Sequence, residues 1–458
     1  MKFVIIGSGP TSLGAAYRLH ELICEKTIPA VTQVHIVEKE HEAGGLARSV
    51  TDENGFTWDL GVHITGASKY AKFLQVINDN VPEWRMIPRC VYMEHVMQDN
   101  LNENNYIPYP VQESIPYFPI EVKSICLEEI RQSKLDFAAN FGELTQNVFG
   151  ETLQNIFIRP YNEKVWTIPL EEMNCVWVEN RVPQPNVSEI ERRCSLTYEQ
   201  LEEEEQQKPP ICFKYPARMK GMGELWKTVA SQLPNDWLLF NAPVEEIDVT
   251  NKKVKAFGEH TFEYDFLIST IPLTELCKLT NLCPDIELKH SQVALVGIGF
   301  RKPQPSFTKN LSWLYFPQKD IPFYRCTFIS NFNDLMTPNS DEFWSVICEV
   351  GLQSQSAVDE NSIVQSTIQG LKVCGIADEN MEIVSKWFYL LPYGYPIPSL
   401  NRDKELDKAH KQLEKHQIYS RGRFGGWKYE YANQDHSFMI GYEVIDRILF
   451  DKSEQLHK

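Results

Sequence analysis

Arginine, tyrosine and tryptophan residues cluster in four places along the chain, and together they suit a ligand with phosphates and an aromatic base. The clusters are residues 106–112, residues 159–166 with Arg181, residues 313–315 with Arg325, and residues 394–396 with Arg423 and Tyr429. Guanidinium forks and tyrosine hydroxyls can bind a diphosphate, and aromatic faces can hold a base and a sugar ring. Taken singly, each aromatic residue is more often part of a core; the combination predicts a nucleotide site.

The N-terminal segment predicts the element that positions a second ligand. Residues 2–6 form an apolar run that predicts a strand, Gly7-Ser-Gly9-Pro-Thr-Ser12 follows, and residues 13–22 have a helical pattern. A second strand ends at Glu38. Gly7 suits the tight turn, Gly9 lets the backbone approach a pyrophosphate, Ser12 allows close packing, and Glu38 can bind ribose hydroxyls. The segment therefore predicts dinucleotide binding; an ordinary βα turn is the alternative.

Paired glycines after Glu38 favour a large flavin cofactor. Residues 42–48 read Glu-Ala-Gly-Gly-Leu-Ala-Arg, with Gly45 and Arg48, and an alternating run leads to Gly61-Val62-His63. Adjacent glycines let the backbone pass close to a second part of a long ligand. This pattern favours FAD over NAD, so the arginine and aromatic clusters predict a second nucleotide, distinct from FAD.

Length and charge restrict the class of protein. A chain of 458 residues is long enough for two or three domains. A formal net charge of -17 argues against a nucleic-acid surface, so an anionic ligand must be held by local arginines. The eleven cysteines include no Cys-x-x-Cys pair, which favours free thiols and suggests no metal site. Because the first strand begins at Lys2 and no apolar stretch approaches a membrane span, we expect a cytoplasmic protein.

Later segments predict the remaining architecture. Residues 120–149 predict a helical insertion, and the acidic, Gln-rich run 199–207 predicts an exposed loop. Residues 244–265 predict a meander that leads into a buried strand, and short β-rich runs over 293–344 predict a separate antiparallel sheet with the substrate site. Residues 422–449 predict a helix whose N-terminus faces the cofactor.

We therefore predict an α/β fold with an FAD-binding Rossmann-like domain, a helical insertion and an antiparallel substrate domain. The approximate division is a discontinuous FAD-binding domain over 1–95, 210–275 and 385–458, a mostly helical domain over 96–209 and a sheet domain over 276–384.

The same residues carry a family resemblance along nearly the whole chain. The sequence resembles the flavin-dependent UDP-galactopyranose mutases, especially the eukaryotic branch. The specific matches are residues 159–166 (Arg-Pro-Tyr-Asn-Glu-Lys-Val-Trp), 313–317 with 322–325, 420–425, and 433–438 (Asn-Gln-Asp-His-Ser-Phe).

The resemblance implies a reaction. In this family reduced FAD is itself the catalyst: flavin N5 attacks the anomeric carbon of UDP-galactopyranose, UDP leaves, and the sugar recloses as the furanose without net redox change. A reduced pyridine nucleotide, NADPH or NADH, would be needed only to reduce FAD. The protein contributes binding, orientation and electrostatics.

The resemblance also implies residue roles. The implied catalytic residues are His63, Arg181, Arg325 and Arg423, of which His63 could equally be structural. The implied cofactor-binding residues are Gly7, Gly9, Ser12, Glu38, Gly45, Arg48, Gly61, Val62, Asn433, Gln434 and Ser437. The implied substrate-binding residues are Tyr109, Gln112, Asn162 and Trp166 for uridine, and Trp313, Tyr315, Tyr395 and Tyr429 near the diphosphate and sugar. Arg89 would respond to the flavin redox state.

Three residues depart from the family pattern on the side of the sugar and the flavin. Val62 stands where the family has a glycine, Gly66 where an aromatic is usual, and Pro210 where an asparagine is expected. Nucleotide-sugar binding is therefore better supported than galactose itself, and a mutase for another NDP-sugar stays open. An FAD-dependent amine oxidase or dehydrogenase and a catalytically silent nucleotide-sugar sensor stay open as well. The sequence does not decide whether the chain forms a homo-oligomer.

Overall fold

The computed structural model describes residues 1–94, 106–133, 138–178, 181–182 and 184–457. Within these residues no helix combines the length and the apolar character that crossing a bilayer requires. The strands, in chain order, are β1 (Lys2–Ile6), β2 (Gln33–Val37), β3 (Ser49–Thr51), β4 (Thr57–Asp59), β5 (Trp84–Pro88), β6 (Val91–Glu94), β7 (Tyr106–Pro108), β8 (Cys212–Pro216), β9 (Leu238–Leu239), β10 (Val244–Asp248), β11 (Lys253–Ala256), β12 (His260–Glu263), β13 (Phe266–Ser269), β14 (His290–Arg301), β15 (Trp313–Tyr315), β16 (Arg325–Thr327), β17 (Phe343–Gln353), β18 (Ile383–Pro396) and β19 (Ile418–Ser420).

The α-helices are spread over the whole chain. They are α1 (Pro10–Cys24), α2 (Ala71–Asn80), α3 (Ile120–Arg131), α4 (Phe141–Phe149), α5 (Glu151–Leu153), α6 (Arg159–Trp166), α7 (Val187–Cys194), α8 (Tyr198–Gln207), α9 (Gly223–Ser231), α10 (Leu273–Thr280), α11 (Glu360–Val373), α12 (Arg402–Glu414) and α13 (Gln434–Phe450). A π-helical turn, Gln154–Ile158, joins α5 to α6.

The nucleotide sheet is parallel and has five strands in the order β19-β13-β1-β2-β9. Its central strand β1 is buried from Phe3 to Ile6, as a parallel strand covered on both faces must be. The predicted meander is confirmed as β10-β11-β12, and the strand that follows it, β13, pairs with β1. The sheet therefore joins segments that lie more than 400 residues apart in sequence.

Helices α1 and α13 cross tightly at two glycines. A Cβ on Gly14 would collide with the Phe438 carbonyl oxygen, and one on Gly441 would collide with that of Thr11. This close crossing is possible only without side chains at these positions. It packs residues 438–441 of α13 against the first turns of α1; that the N-terminus of α13 faces the cofactor stays a prediction.

The second large sheet has seven strands in the order β18-β14-β17-β16-β15-β6-β7. Its pairings are antiparallel except that between β15 and β6, and β14 with β17 forms a long antiparallel pair. The prediction of an antiparallel sheet over 293–344 is thus confirmed. The proposed domain division stays a prediction.

One prediction is wrong: the acidic run 199–207 is helical, not a loop. It lies in α8, where Thr197 and Gln200 form a capping box. Arg192 pairs with Glu204 at 2.7 Å, and Arg193 pairs with Glu205 at 2.6 Å. These arginines of α7 compensate the acidic charges that suggested a solvated loop.

Candidate active site

The turn after β1 has the geometry that a dinucleotide needs. Gly7 has φ +100°, and a Cβ there would collide with Thr270 Oγ1. Ser8 donates to Glu38 Oε2 from both its main-chain N and its hydroxyl, each at 2.7 Å. The amide of Glu40 donates to the other oxygen of Glu38 at 2.9 Å. These bonds hold a buried carboxylate at the end of β2, in position to accept from ribose hydroxyls.

The paired glycines face this turn. Gly44 and Gly45 both have positive φ, and a Cβ on Gly45 would lie 3.0 Å from the Cα of Gly9. Arg48 closes the segment by donating to the Gly45 carbonyl at 3.2 Å and pairing with Glu40 at 3.0 Å. The two stretches of bare backbone form a cradle that side chains would fill.

The first turn of α13 carries further polar groups. Trp226 donates to Gln434 Oε1 at 2.6 Å, while the buried Nε2 of Gln434 has no hydrogen-bond partner in the described residues. The Ser437 amide donates to the Asn433 carbonyl at 2.9 Å. Ser12 instead bonds Thr270, with 3.0 Å between the two hydroxyl oxygens.

These residues fit FAD. The cradle accepts a ligand backbone, the Glu38 carboxylate accepts from hydroxyls, and the unsatisfied Gln434 amide needs an acceptor. The Gly-rich turn together with the N-terminus of α1 favours a pyrophosphate.

The loop after Gly61 connects the cradle to the arginines. Gly61 has φ +117°, Val62 is partly buried against the core, and the His63 Nε2 lies 3.2 Å from the Leu60 carbonyl oxygen. The pKa of His63 is lowered to about 4, mainly by burial; the charge of Arg423 acts in the same direction, and the Leu60 carbonyl and Glu349 act in the opposite one. His63 is therefore neutral at pH 7 and lies within electrostatic reach of the arginine cluster.

Arg181 and Arg423 share one aromatic ring and have no carboxylate partner among the described residues. Their guanidinium carbons lie 4.9 and 5.9 Å from the centroid of Tyr429. Arg181 donates to the carbonyls of Tyr429 and Glu430, each at 3.0 Å, and to Asn433 Oδ1 at 3.1 Å. Arg423 donates to the Gly394 carbonyl at 3.2 Å, and burial lowers its pKa. Two cations that the described part of the chain leaves without an ion pair make an anion site.

Arg325 differs because a buried carboxylate neutralises it. It binds Glu349 in a bidentate pair at 2.8 and 2.7 Å, and Tyr324 donates to the same carboxylate at 2.6 Å. The Tyr324 hydroxyl lies 3.5 Å from that of Tyr395. This chain of contacts joins Arg325 to the wall of the Arg423 site.

Aromatic residues form two walls around these arginines. The Trp166 ring contacts Tyr395 at 5.6 Å and Tyr429 at 5.0 Å between ring centroids. On the other side, Tyr315 contacts Tyr109 at 5.0 Å and Tyr161 at 5.1 Å. Offset and edge contacts of this kind fix ring orientations.

The remaining predicted residues on the substrate side are Asn162, Gln112, Trp313 and Arg89. The Asn162 amide donates to Ile158 and accepts from Trp166 inside its own helix. Gln112 is buried in the short 3-10 helix Val111–Tyr117. Trp313 stacks on Phe213, with centroids 5.6 Å apart. Arg89 is exposed, although its charge acts on the pKa of Tyr109, which burial raises.

Sequence reasoning missed Glu349, and it gave no separate role to Tyr161 or Tyr324, although these lie in the segments 159–166 and 322–325 that carry the resemblance. Glu349 is a lone acid in the otherwise apolar run Val346–Val350, and that isolation was the available signal. A buried carboxylate needs a cation or several donors, which the sequence alone does not assign.

Several known proteins are similar to this chain. The family model of flavin containing amine oxidoreductases matches residues 13–297. A crystal structure of a reduced UDP-galactopyranose mutase is 34% identical, covers 99% of this chain and 95% of its own, and has a TM-score of 0.88. A protein from Exiguobacterium sp. 255-15, provisionally named a protoporphyrinogen oxidase, is 15% identical over 98% and 99% of the two chains (TM-score 0.71). A putrescine oxidase is 13% identical over 98% and 99% (TM-score 0.59).

The two sheets, the glycine cradle and the arginine cluster define a flavoprotein of the amine-oxidoreductase fold. The 13–15% identical proteins share that fold alone. The chain belongs to the flavin-containing amine oxidoreductase family and, within it, to the UDP-galactopyranose mutases.

Proposed function

We propose that this protein is a flavin-dependent isomerase that interconverts UDP-galactopyranose and UDP-galactofuranose. The observation that carries the proposal is the pair Arg181 and Arg423, two guanidinium groups around Tyr429 for which the described residues provide no carboxylate partner. Such a pair suits a diphosphate, and the charge of Arg423 acts on His63 in the loop that follows the flavin cradle. An amine substrate would gain nothing from adjacent arginines.

Bound reduced FAD supplies the nucleophile toward the anomeric carbon of the sugar. Gly7, Gly9, Glu38, Gly45 and Gln434 would hold the cofactor. The aromatic walls would hold the uridine and exclude water, which strengthens electrostatic interactions inside the site.

The arginines would act when UDP departs. Negative charge then increases on the diphosphate, and preorganised guanidinium groups in a partly dry site stabilise it. Arg181 is fixed by three acceptors and Arg423 by a carbonyl and aromatic rings, so neither needs to reorganise. Neutral His63 would donate or accept a hydrogen bond beside the flavin without adding charge.

The finer assignments belong to the same proposal. NADPH or NADH would reduce the flavin, and the protein would act in the cytoplasm. Within the family, we place the chain in the eukaryotic branch. The domain division and the role of Arg89 as a redox-responsive residue are proposed on the family likeness.

The test is conversion of UDP-galactofuranose under anaerobic conditions. The dithionite-reduced protein should produce UDP-galactopyranose, and the oxidised protein should not. Arg181→Leu should reduce turnover by about 100- to 1,000-fold, as does loss of one preorganised donor to a developing charge. The surface variant Lys411→Met, whose side chain is 71% exposed, should leave turnover unchanged. Turnover of an amine with oxygen would overturn the proposal.

A mutase for another UDP-sugar is the second candidate, and one observation favours it. Among the described residues, a Cβ on Gly66 would meet only the Phe213 ring, at 3.9 Å, so these residues leave space beside the Phe213–Trp313 stack. Several UDP-pyranoses should be compared with the reduced enzyme. Faster conversion of a sugar other than galactose would assign the enzyme to that sugar.

A further inference from the structure

Lys164 occupies an unusual position in the last turn of α6. Its ammonium group donates to four main-chain carbonyls of the turn between β15 and β16: those of Phe316 at 2.8 Å, Gln318 at 3.0 Å, Ile321 at 2.7 Å and Phe323 at 2.7 Å. An ammonium group has three N–H donors, so the four carbonyls share them. The turn therefore folds around this side chain.

The turn connects two residues of the arginine site. Tyr315 ends β15 just before it, and Arg325 begins β16 just after it. Helix α6 carries Trp166, which contacts Tyr395 and Tyr429, and Tyr161, which contacts Tyr315. Lys164 thus links the helix on one side of the site to the hairpin on the other.

The backbone of this lysine packs closely against a glycine in the neighbouring strand. A Cβ on Gly351 in β17 would collide with the Lys164 carbonyl oxygen. Strand β17 also pairs with β16, where Glu349 lies opposite Arg325. The helix end, the turn and the central strand therefore meet at Lys164.

We propose that Lys164 is a positioning residue for nucleotide-sugar binding, fixing the strands that carry Tyr315 and Arg325 relative to α6. The inference rests on the proposed function for the identity of the ligand. Lys164 acts through the hairpin and does not need to touch the substrate. Without the ammonium group, four inward-facing carbonyls lose their shared donor, and the turn must move to satisfy them with water.

The test compares Lys164→Met, which keeps length and apolar volume, with Lys411→Met as the surface control. UDP binding is measured by calorimetry with the full-length oxidised holoenzyme. Lys164→Met should raise the Kd for UDP by about tenfold or more, the scale of a lost charged contact, and should raise KM more than it lowers kcat. Lys164→Arg, which keeps a cation, should recover part of the affinity. Lys411→Met should bind as the wild type does.

A second background separates positioning from general weakening of the fold. In the double variant Tyr315→Phe/Arg325→Met, the hairpin no longer presents its hydroxyl or its guanidinium, so adding Lys164→Met should change the Kd by less than about twofold. Equal losses in both backgrounds, or wild-type affinity in Lys164→Met, would overturn the proposal.

Hydrogen exchange makes the test independent of the proposed function. In Lys164→Met, the amides of residues 316–323 should exchange at least about tenfold faster, whereas those of β1 and β13 should not change. Unchanged exchange in the turn would refute the anchoring role. If the wild type binds no UDP and converts no UDP-sugar while the exchange result holds, the proposed function fails and the anchor stands.

Discussion

The substitution Arg423→Met removes a partly buried cation that the described residues do not neutralise. Among the described residues Arg423 forms no ion pair; it is held by the Gly394 carbonyl at 3.2 Å and by the Tyr395 ring, 5.0 Å from its guanidinium carbon. Transfer of a cation out of water costs several kcal/mol in real proteins. The contacts with the rings of Tyr395, Phe424 and Tyr429 return about 1 kcal/mol each and the hydrogen bond about 1.5 kcal/mol. The variant should therefore be equal to the wild type in stability, or more stable by about 1 kcal/mol.

Arg402 provides the matched control. It is fully buried like the core of the protein, but it pairs with Glu430 at 2.8 and 3.0 Å. Arg402→Met leaves that carboxylate buried without its partner and should cost about 3 to 5 kcal/mol. The two substitutions remove the same side chain and should change the free energy of unfolding in different directions.

The assay is urea unfolding with and without UDP. At 100 times its Kd, a ligand stabilises the folded protein by about 2.7 kcal/mol. If Arg423 contributes about 3 kcal/mol to UDP binding, as truncation of a charged contact does, the same UDP concentration should stabilise Arg423→Met by less than about 0.5 kcal/mol. The hypothesis is that Arg423 is an uncompensated cation whose partner is a bound anion. It would be refuted if Arg423→Met lost more than about 2 kcal/mol of unfolding free energy without UDP, or if UDP stabilised the variant as much as the wild type.

Three further predictions concern the ionisable side chains of Glu349, His457 and Glu38. Glu349→Gln should destabilise the ligand-free protein by about 3 kcal/mol, because Arg325 loses its carboxylate partner. UDP should then raise the melting temperature of this variant by more than it raises that of the wild type. A smaller rise would contradict the placement of Arg325 near the diphosphate. Burial and neighbouring cations hold the pKa of His457 well below its ordinary value, so the unfolded state binds the extra proton and stability falls below about pH 6.5. Between about pH 7 and pH 5.5 the wild type should lose about 1 kcal/mol more than His457→Phe in urea unfolding, and equal losses would contradict a neutral buried imidazole. Glu38→Gln should weaken FAD binding by about tenfold or more, measured by flavin fluorescence, and unchanged affinity would exclude a ribose contact.

The nucleotide-binding half was predictable because its signals are local. A tight turn requires positive φ at Gly7, and close approach to Gly9 requires bare backbone at Gly45, so the residue types alone indicate the geometry. The meander follows the alternating pattern of its own residues, and the returning strand β13 is a short apolar run that the sequence marks as buried.

The helix α8 was not predictable from charge pattern alone. Nine residues rich in Glu and Gln favour a solvated loop until Arg192 and Arg193 of a neighbouring helix are placed against them. The capping pair Thr197 and Gln200 was visible in the sequence and would have favoured a helix start. Here local capping was the better signal.

Glu349 and Lys164 mark the limit of sequence reasoning about the site. The partners of Glu349 come from an adjacent strand, and those of Lys164 are main-chain carbonyls more than 150 residues away. Main-chain groups carry no residue identity, so no spacing of residue types could have pointed to this contact.

The same use of carbonyls explains how an acidic chain can hold an anion. The formal net charge is -17, and carboxylates could have neutralised every cation of the site. Instead Arg181 is oriented by the carbonyls of Tyr429 and Glu430, and Arg423 by that of Gly394. A carbonyl dipole fixes a guanidinium without cancelling its charge, whereas a carboxylate does both. The positive charge of these two arginines therefore stays available for a diphosphate. This local charge depends on how the chain folds and cannot be read from its net charge.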